Sequence, residues 1–138
     1  RLTYKFLACD ACEWQFLGSR FFVQKERERG SLAHVKAGIN IDTVASGNKF
    51  FFLAWPEDMA RRARQVVEEL QLREVFEQVE FLGALAGSDH HSFIQAGIPA
   101  SELLFWPEDD LSAVDASLIG RSVDIAHALA QTYEEDQR

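Results

Sequence analysis

The densest run of groups able to do acid–base or metal chemistry is Gly87 to Ala100, GSDHHSFIQAGIPA, where an aspartate and two adjacent histidines stand between a glycine and a proline. Ser88 or Asp89 suits the N-cap of a short helix and Gly97 the left-handed residue that ends one. Ile98-Pro99-Ala100 then opens an extended segment over residues 101–105. Such a helix puts Asp89, His90 and His91 at its N-terminus, beside the mouth of a sheet. Two more acids stand at predicted boundaries: Glu13 after the first strand and Asp42 near the end of the second. In a parallel sheet the carboxyl ends of the strands converge on one crevice, so Glu13, Asp42, Asp89, His90 and His91 are candidates for a shared site. Carboxylates with imidazole suit zinc or a similar divalent ion. Taken singly, each of these residues is an ordinary cap or surface group, and it is their placement at strand ends that supports a metal.

A second chemistry is carried by Cys9-x-x-Cys12, which falls between a strand and a helix, where a thioredoxin-like redox pair sits. Asp10 places a negative charge between the thiols, where a reactive pair wants neutral or positive surroundings. The competing reading is two small apolar residues at a strand end.

These groups need elements to hold them. Residues 2–9 have the β-branched, aromatic and apolar density of a buried strand, and residues 14–29 follow as a helix with Phe16, Leu17, Phe21, Phe22 and Val23 as its apolar positions. Residues 35–44 and 50–55 read as strands joined by the turn Ser46-Gly47-Asn48-Lys49. Pro56-Glu57-Asp58 opens an amphipathic helix through Ala60, Ala63, Val66, Val67 and Leu70. Residues 72–86 suit a helix end followed by a short strand, and Leu118, Ser122, Ile125, Ala126, Leu129 and Tyr133 line one face of a closing helix. Strands alternating with helices predict an α/β layered sheet.

The 138 residues, 47% hydrophobic and 26% charged, suit a single globular domain over 1–138 with a sizeable core. Fourteen Lys and Arg against 22 Asp and Glu leave a net charge of −8, which argues against a nucleic-acid or anionic-membrane surface. No apolar run approaches the ~18–20 residues of a membrane span, and no leader pattern opens the chain, so its compartment stays open.

Three separated motifs, in order, resemble those of the co-catalytic zinc aminopeptidases, whose relatives include glutaminyl cyclase, glutamate carboxypeptidase, the transferrin receptor and nicastrin. Glu13 to Arg20, EWQFLGSR, resembles the family's Glu-Glu-x-Gly-Leu-Leu-Gly-Ser turn, and Asn40-Ile41-Asp42 its Asn-x-Asp strand end. Ser88-Asp89-His90-x-x-Phe93 with Gly97-Ile98-Pro99-Ala100 resembles its helix before the last core strand. Pro107-Glu108-Asp109 and Val114-Asp115 fit its closing turn. The resemblance implies a three-layer α/β sandwich with a mixed, mostly parallel sheet, incomplete at the N-terminus. It also implies zinc, with Glu13 a ligand of one ion and Asp42 of the other, and Asp89, His90 and His91 lining the pocket behind them. The implied ligand is a peptide or a small amino-acid-like molecule, and strands missing from the sheet would leave an edge open to self-association. The match departs at Cys12, where the family has its general-base glutamate, and at Phe105, where it has a ligand histidine; the upstream His-x-Asp segment has no counterpart. The expectation is therefore a peptidase lineage in which this chain alone is inactive, with a non-catalytic scaffold as the rival and thiol redox chemistry at Cys9 and Cys12 as a distant third.

Overall fold

A computed structural model describes residues 2–83, 87–106 and 111–135. Strands β1 (Gly38–Asp42), β2 (Lys49–Trp55), β3 (Gln78–Leu82) and β4 (Ala100–Trp106) form one sheet in the order β1-β4-β2-β3. β1 runs parallel to β4 and β2 parallel to β3, while β2 and β4 are antiparallel. The sheet is thus mixed and mostly parallel, as the family resemblance implies.

Alternation along the strands sorts the layers. Phe50 and Phe52 of β2 and Leu103 and Phe105 of β4 are fully buried on one face, under helices α2 (Glu57–Glu69) and α4 (Ala116–Glu135). Met59, Val66 and Val67 of α2 and Ile125 and Leu129 of α4 complete that core. Burying side chains of this size stabilises by roughly 1.5–3 kcal/mol each. The opposite face carries Asn40 and Asp42 of β1 beside Glu102 of β4, and over them sits the short helix α3 (His90–Gln95). Helix α1 (Leu17–Glu28) packs on α3, where Phe22 meets Phe93 with ring centroids 5.9 Å apart and Ser19 Oγ lies 2.8 Å from Ser92 Oγ.

The expected strand over residues 2–9 is absent. That segment has no regular structure, and Phe6 is 96% exposed. A strand exists only as part of a ladder, and the segment runs along α1 instead, with Lys5 pairing with Glu26 at 3.2 Å and resting over the Phe22 ring. The expected helix over 14–29 is shortened to Leu17–Glu28, because the left-handed residues Ala11, Gln15 and Phe16 wind residues 12–14 into a separate 3-10 turn. Left-handed Thr43 likewise ends β1. In residues 72–86, a 3-10 turn at Leu72–Glu74 precedes β3, in keeping with a helix end and a short strand.

Two glycines set the position of the site. Gly38 lets the Phe93 ring sit directly on β1, since a Cβ there would lie 3.0 Å from the ring. Gly47, at φ +95°, turns the chain from β1 to β2 against the end of β4, where a Cβ would collide with the Trp106 carbonyl. Gly47→Ala therefore combines a left-handed backbone with a steric clash, and is expected to cost about 2–3 kcal/mol. Urea denaturation showing a loss below about 0.5 kcal/mol, the range of a neutral surface change, would contradict this placement.

Candidate functional site

The site lies where β1 ends. Asp42, its last residue, carries its carboxylate on the α3 face together with Asn40, two residues earlier, and Glu102, which faces Asn40 across the ladder. Ser88, just before α3, joins the three. Its Oγ donates to Asp42 Oδ2 at 2.8 Å and accepts from Asn40 Nδ2 at 2.8 Å. Asn40 Nδ2 also reaches Glu102 Oε1 at 3.4 Å, and the second Glu102 oxygen lies 3.3 Å from His90 Nδ1. Thr43 Oγ1 donates to the other Asp42 oxygen at 3.2 Å. Three of these groups are sealed from water: Ser88 is 2%, His90 1% and Glu102 4% exposed.

This network replaces the expected N-cap. Asp89 precedes α3 in a helical conformation and makes no side-chain cap bond. The Ser88 hydroxyl, the other capping candidate, is taken by Asp42 and Asn40. Gly97 is left-handed, at φ +78°, as expected of a helix end.

Burial, and after it the neighbouring Asp42 carboxylate, push the Glu102 carboxyl up to about 7. Beside the network lie both cysteines. Burial and then the Asp89 carboxylate raise the Cys12 thiol above its ordinary range, with Asp42 and Glu13 adding to the effect; Cys9 is raised by burial, then by Asp89 and Asp10. Both thiols are free and are held protonated at neutral pH, the reverse of what a redox pair requires.

The candidate residues thus divide. Asp42 and His90 belong to the buried network, and Asp89 and Cys12 flank it. Glu13 lies in the exposed turn Cys12–Trp14. His91 turns toward α1, edge-on to Phe16 at 6.4 Å, with its Nε2 2.9 Å from Gln95 Nε2. Phe105 is fully buried on the other face of the sheet, packed edge-on against Phe50. The Pro107-Glu108-Asp109 turn lies outside the described residues. Asp115 accepts from the Ser117 amide at 2.8 Å and opens α4. Glu102 and the bridging role of Asn40 were not singled out from the sequence. The signal was there for Glu102, as the lone charge in the apolar strand ASELLFW.

A family model described as Peptidase family M28 matches residues 2–135. The chain belongs to this peptidase family. Among solved structures, the M28 chain is similar to BSAP, a zinc aminopeptidase from Bacillus subtilis, with TM-score 0.67 and 18% identity over 85% of this chain and 32% of that one. It is also similar to the LapA aminopeptidase of Legionella pneumophila, with TM-score 0.65 and 19% identity over 83% of this chain and 34% of that one. An aminopeptidase from Aneurinibacillus sp. strain AM-1 aligns with TM-score 0.64 and 17% identity over 83% and 29%. The M28 chain spans about a third of the length of these structures. A search of curated proteins finds no match.

Zinc in BSAP directs attention to the donors present here. Ser88 and Thr43 orient the Asp42 carboxylate in the way ligating carboxylates are commonly supported. A zinc site needs three or four protein ligands, and among the described residues no three His, Cys, Asp or Glu side chains are grouped to hold a metal ion. The described residues do not fit a zinc centre by themselves.

The raised Glu102 carboxyl has a consequence for stability. Between about 4.5 and about 7 the folded chain keeps a proton that the unfolded chain has lost, so the contribution of Glu102 falls as pH rises through that window and levels off above it. The loss is on the order of 3 kcal/mol. Denaturation at pH 5 and pH 8 is expected to show Glu102→Gln gaining on the parent chain as pH rises. Parallel pH profiles for the two proteins would contradict the burial of this carboxyl.

Proposed function

We propose that this chain is a peptide-facing domain of the M28 aminopeptidase lineage that does not turn over substrate by itself. The observation that carries the proposal is the composition of the crevice at the end of β1: one oriented carboxylate, Asp42, with a protonated thiol, Cys12, beside it and an exposed Glu13. Hydrolysis of the bond next to a free N-terminus needs a carboxylate base to activate water, and a thiol held protonated cannot take that role. What the end of β1 offers is negative charge, from Asp42 and Asp89. Such charge attracts the ammonium of a peptide N-terminus or of an amino-acid-like ligand. Asp42, oriented by Ser88 and Thr43, and Glu13, exposed in the turn that precedes α1, would share in a metal centre completed by donors from elsewhere.

The test pairs activity with binding. Aminoacyl-nitroanilides incubated with the chain and added zinc are expected to show no release above a zinc-only blank. A peptide with a free N-terminus is expected to shift the NMR signals of Asp42 and Asp89 more than its acetylated form does. Turnover abolished by Asp42→Ala would contradict the inert assignment, and equal responses to the free and acetylated peptides would contradict recognition of the amine.

A further inference from the structure

The chain leaves β1 through a backbone conformation that its residue disfavours. Among the described residues Ala11, Gln15, Phe16, Thr43 and Gln71 have positive φ without being glycine, and Thr43, at φ +47°, is the β-branched one. A branched Cβ crowds the left-handed region, so such a residue stays there only where its surroundings hold it. The Thr43 carbonyl accepts from the Phe105 amide at 3.1 Å, which carries the bonding of β1 to β4 one residue further. The loop beyond is tied down where the Asp115 amide donates to the Ala45 carbonyl at 2.7 Å and the Asn48 amide to the Trp106 carbonyl at 3.2 Å.

This strain has a local product. Successive side chains of an extended strand point to opposite faces, so an extended residue 43 would carry its hydroxyl away from the face that holds the Asp42 carboxylate. The left-handed turn brings it back, and Thr43 Oγ1 donates to Asp42 Oδ1 at 3.2 Å. The other oxygen, Oδ2, takes the Ser88 hydroxyl at 2.8 Å. Two hydroxyls from different elements thus take the two oxygens of one carboxylate. Held at both, it has its rotamer and its plane fixed; held at Oδ2 alone, it can pivot.

We propose that Thr43 is a positioning residue whose strained backbone fixes the direction in which the Asp42 carboxylate faces, and through it the preference of this end of β1 for a free over an acylated peptide N-terminus. An ammonium group makes charge-assisted hydrogen bonds, which gain from a carboxylate already held in one orientation, whereas an acetylated terminus has no charge to offer. The proposal rests on the reading of Asp42 as a charge that draws a peptide amine, and it adds the residue that aims that charge. Three substitutions separate shape from hydroxyl. Thr43→Val keeps the branch and removes the hydroxyl, Thr43→Ser keeps the hydroxyl and removes the branch, and Thr43→Gly removes both and is at ease at positive φ.

The test reads the Hα–Hβ and N–Hβ couplings of Asp42 in the intact chain by NMR, beside the urea midpoint and the affinities of one peptide with its N-terminus free and acetylated. The parent chain and Thr43→Ser are expected to show a single Asp42 rotamer. Thr43→Val and Thr43→Gly are expected to show averaged couplings and to lose the preference for the free amine by at least roughly threefold, the effect of one hydrogen bond. Thr43→Gly is expected to unfold at a urea midpoint no lower than the parent's, since a residue that stores strain for a site is relieved by its removal. A single Asp42 rotamer in Thr43→Val and Thr43→Gly would overturn the proposal. So would a preference for the free amine that survives averaged couplings, or a Thr43→Gly midpoint well below the parent's, which is the mark of a purely structural residue. A parent chain that binds the free and acetylated peptides alike would overturn the peptide-facing reading and with it the selectivity, while the couplings decide on their own whether Thr43 holds Asp42.

Discussion

Burying a carboxyl group in the middle of a sheet is expensive unless its oxygens find partners, and Glu102 imposes that demand on every element around it. β4 is bonded on both sides, to β1 and to β2, so Glu102 cannot swing to water without breaking the interior of the sheet. One oxygen takes Asn40 from β1 and the other faces His90 from α3. The same Asn40 amide reaches Ser88, which fixes the Asp42 carboxylate. The polar crevice is therefore one connected structure, and α3 is seated on the sheet as much by this network as by Phe93 on Gly38.

The electrostatics follow from that connection. Burial and then the neighbouring Asp42 carboxylate hold Glu102 protonated below about 7, while Ser88 and Thr43 bond the Asp42 oxygens. Burial first, and then the Asp89 carboxylate, hold the nearby thiols protonated. Arg62, buried in α2, bonds Asp58 at 2.8 Å and the Thr132 carbonyl at 2.7 Å, tying α2 to α4 under the opposite face. The crevice is left acidic and suited to a positive group. The donors among the described residues fall short of a zinc centre.

Much of this was legible in the sequence because it depends on local pattern. β2, α2, β4 and α4 follow from apolar periodicity, and the turn at Gly97 from glycine's freedom to be left-handed. What was not legible depends on partners distant in sequence. Residues 2–9 have a strand's composition, but composition cannot supply the neighbouring strand a ladder requires. Ser88 reads as a helix cap until Asp42, 46 residues away, competes for its hydroxyl. Phe105 looked like a replaced ligand in a linear alignment, whereas the pleat of β4 turns it into the opposite core. Asp42 was found because a strand end is a position that sequence can mark. Glu102 was passed over because strand alternation alone does not say which face holds a polar pocket.

The count of zinc bound by the purified, untagged chain, read by native mass spectrometry after dialysis against limiting zinc, bears most directly on the claim that this crevice supplies one oriented carboxylate and not a metal centre. No retained zinc, with the parent chain and Asp42→Ala each found at its own metal-free mass, is the predicted result. One zinc per chain, lost on Asp42→Ala, would contradict the claim.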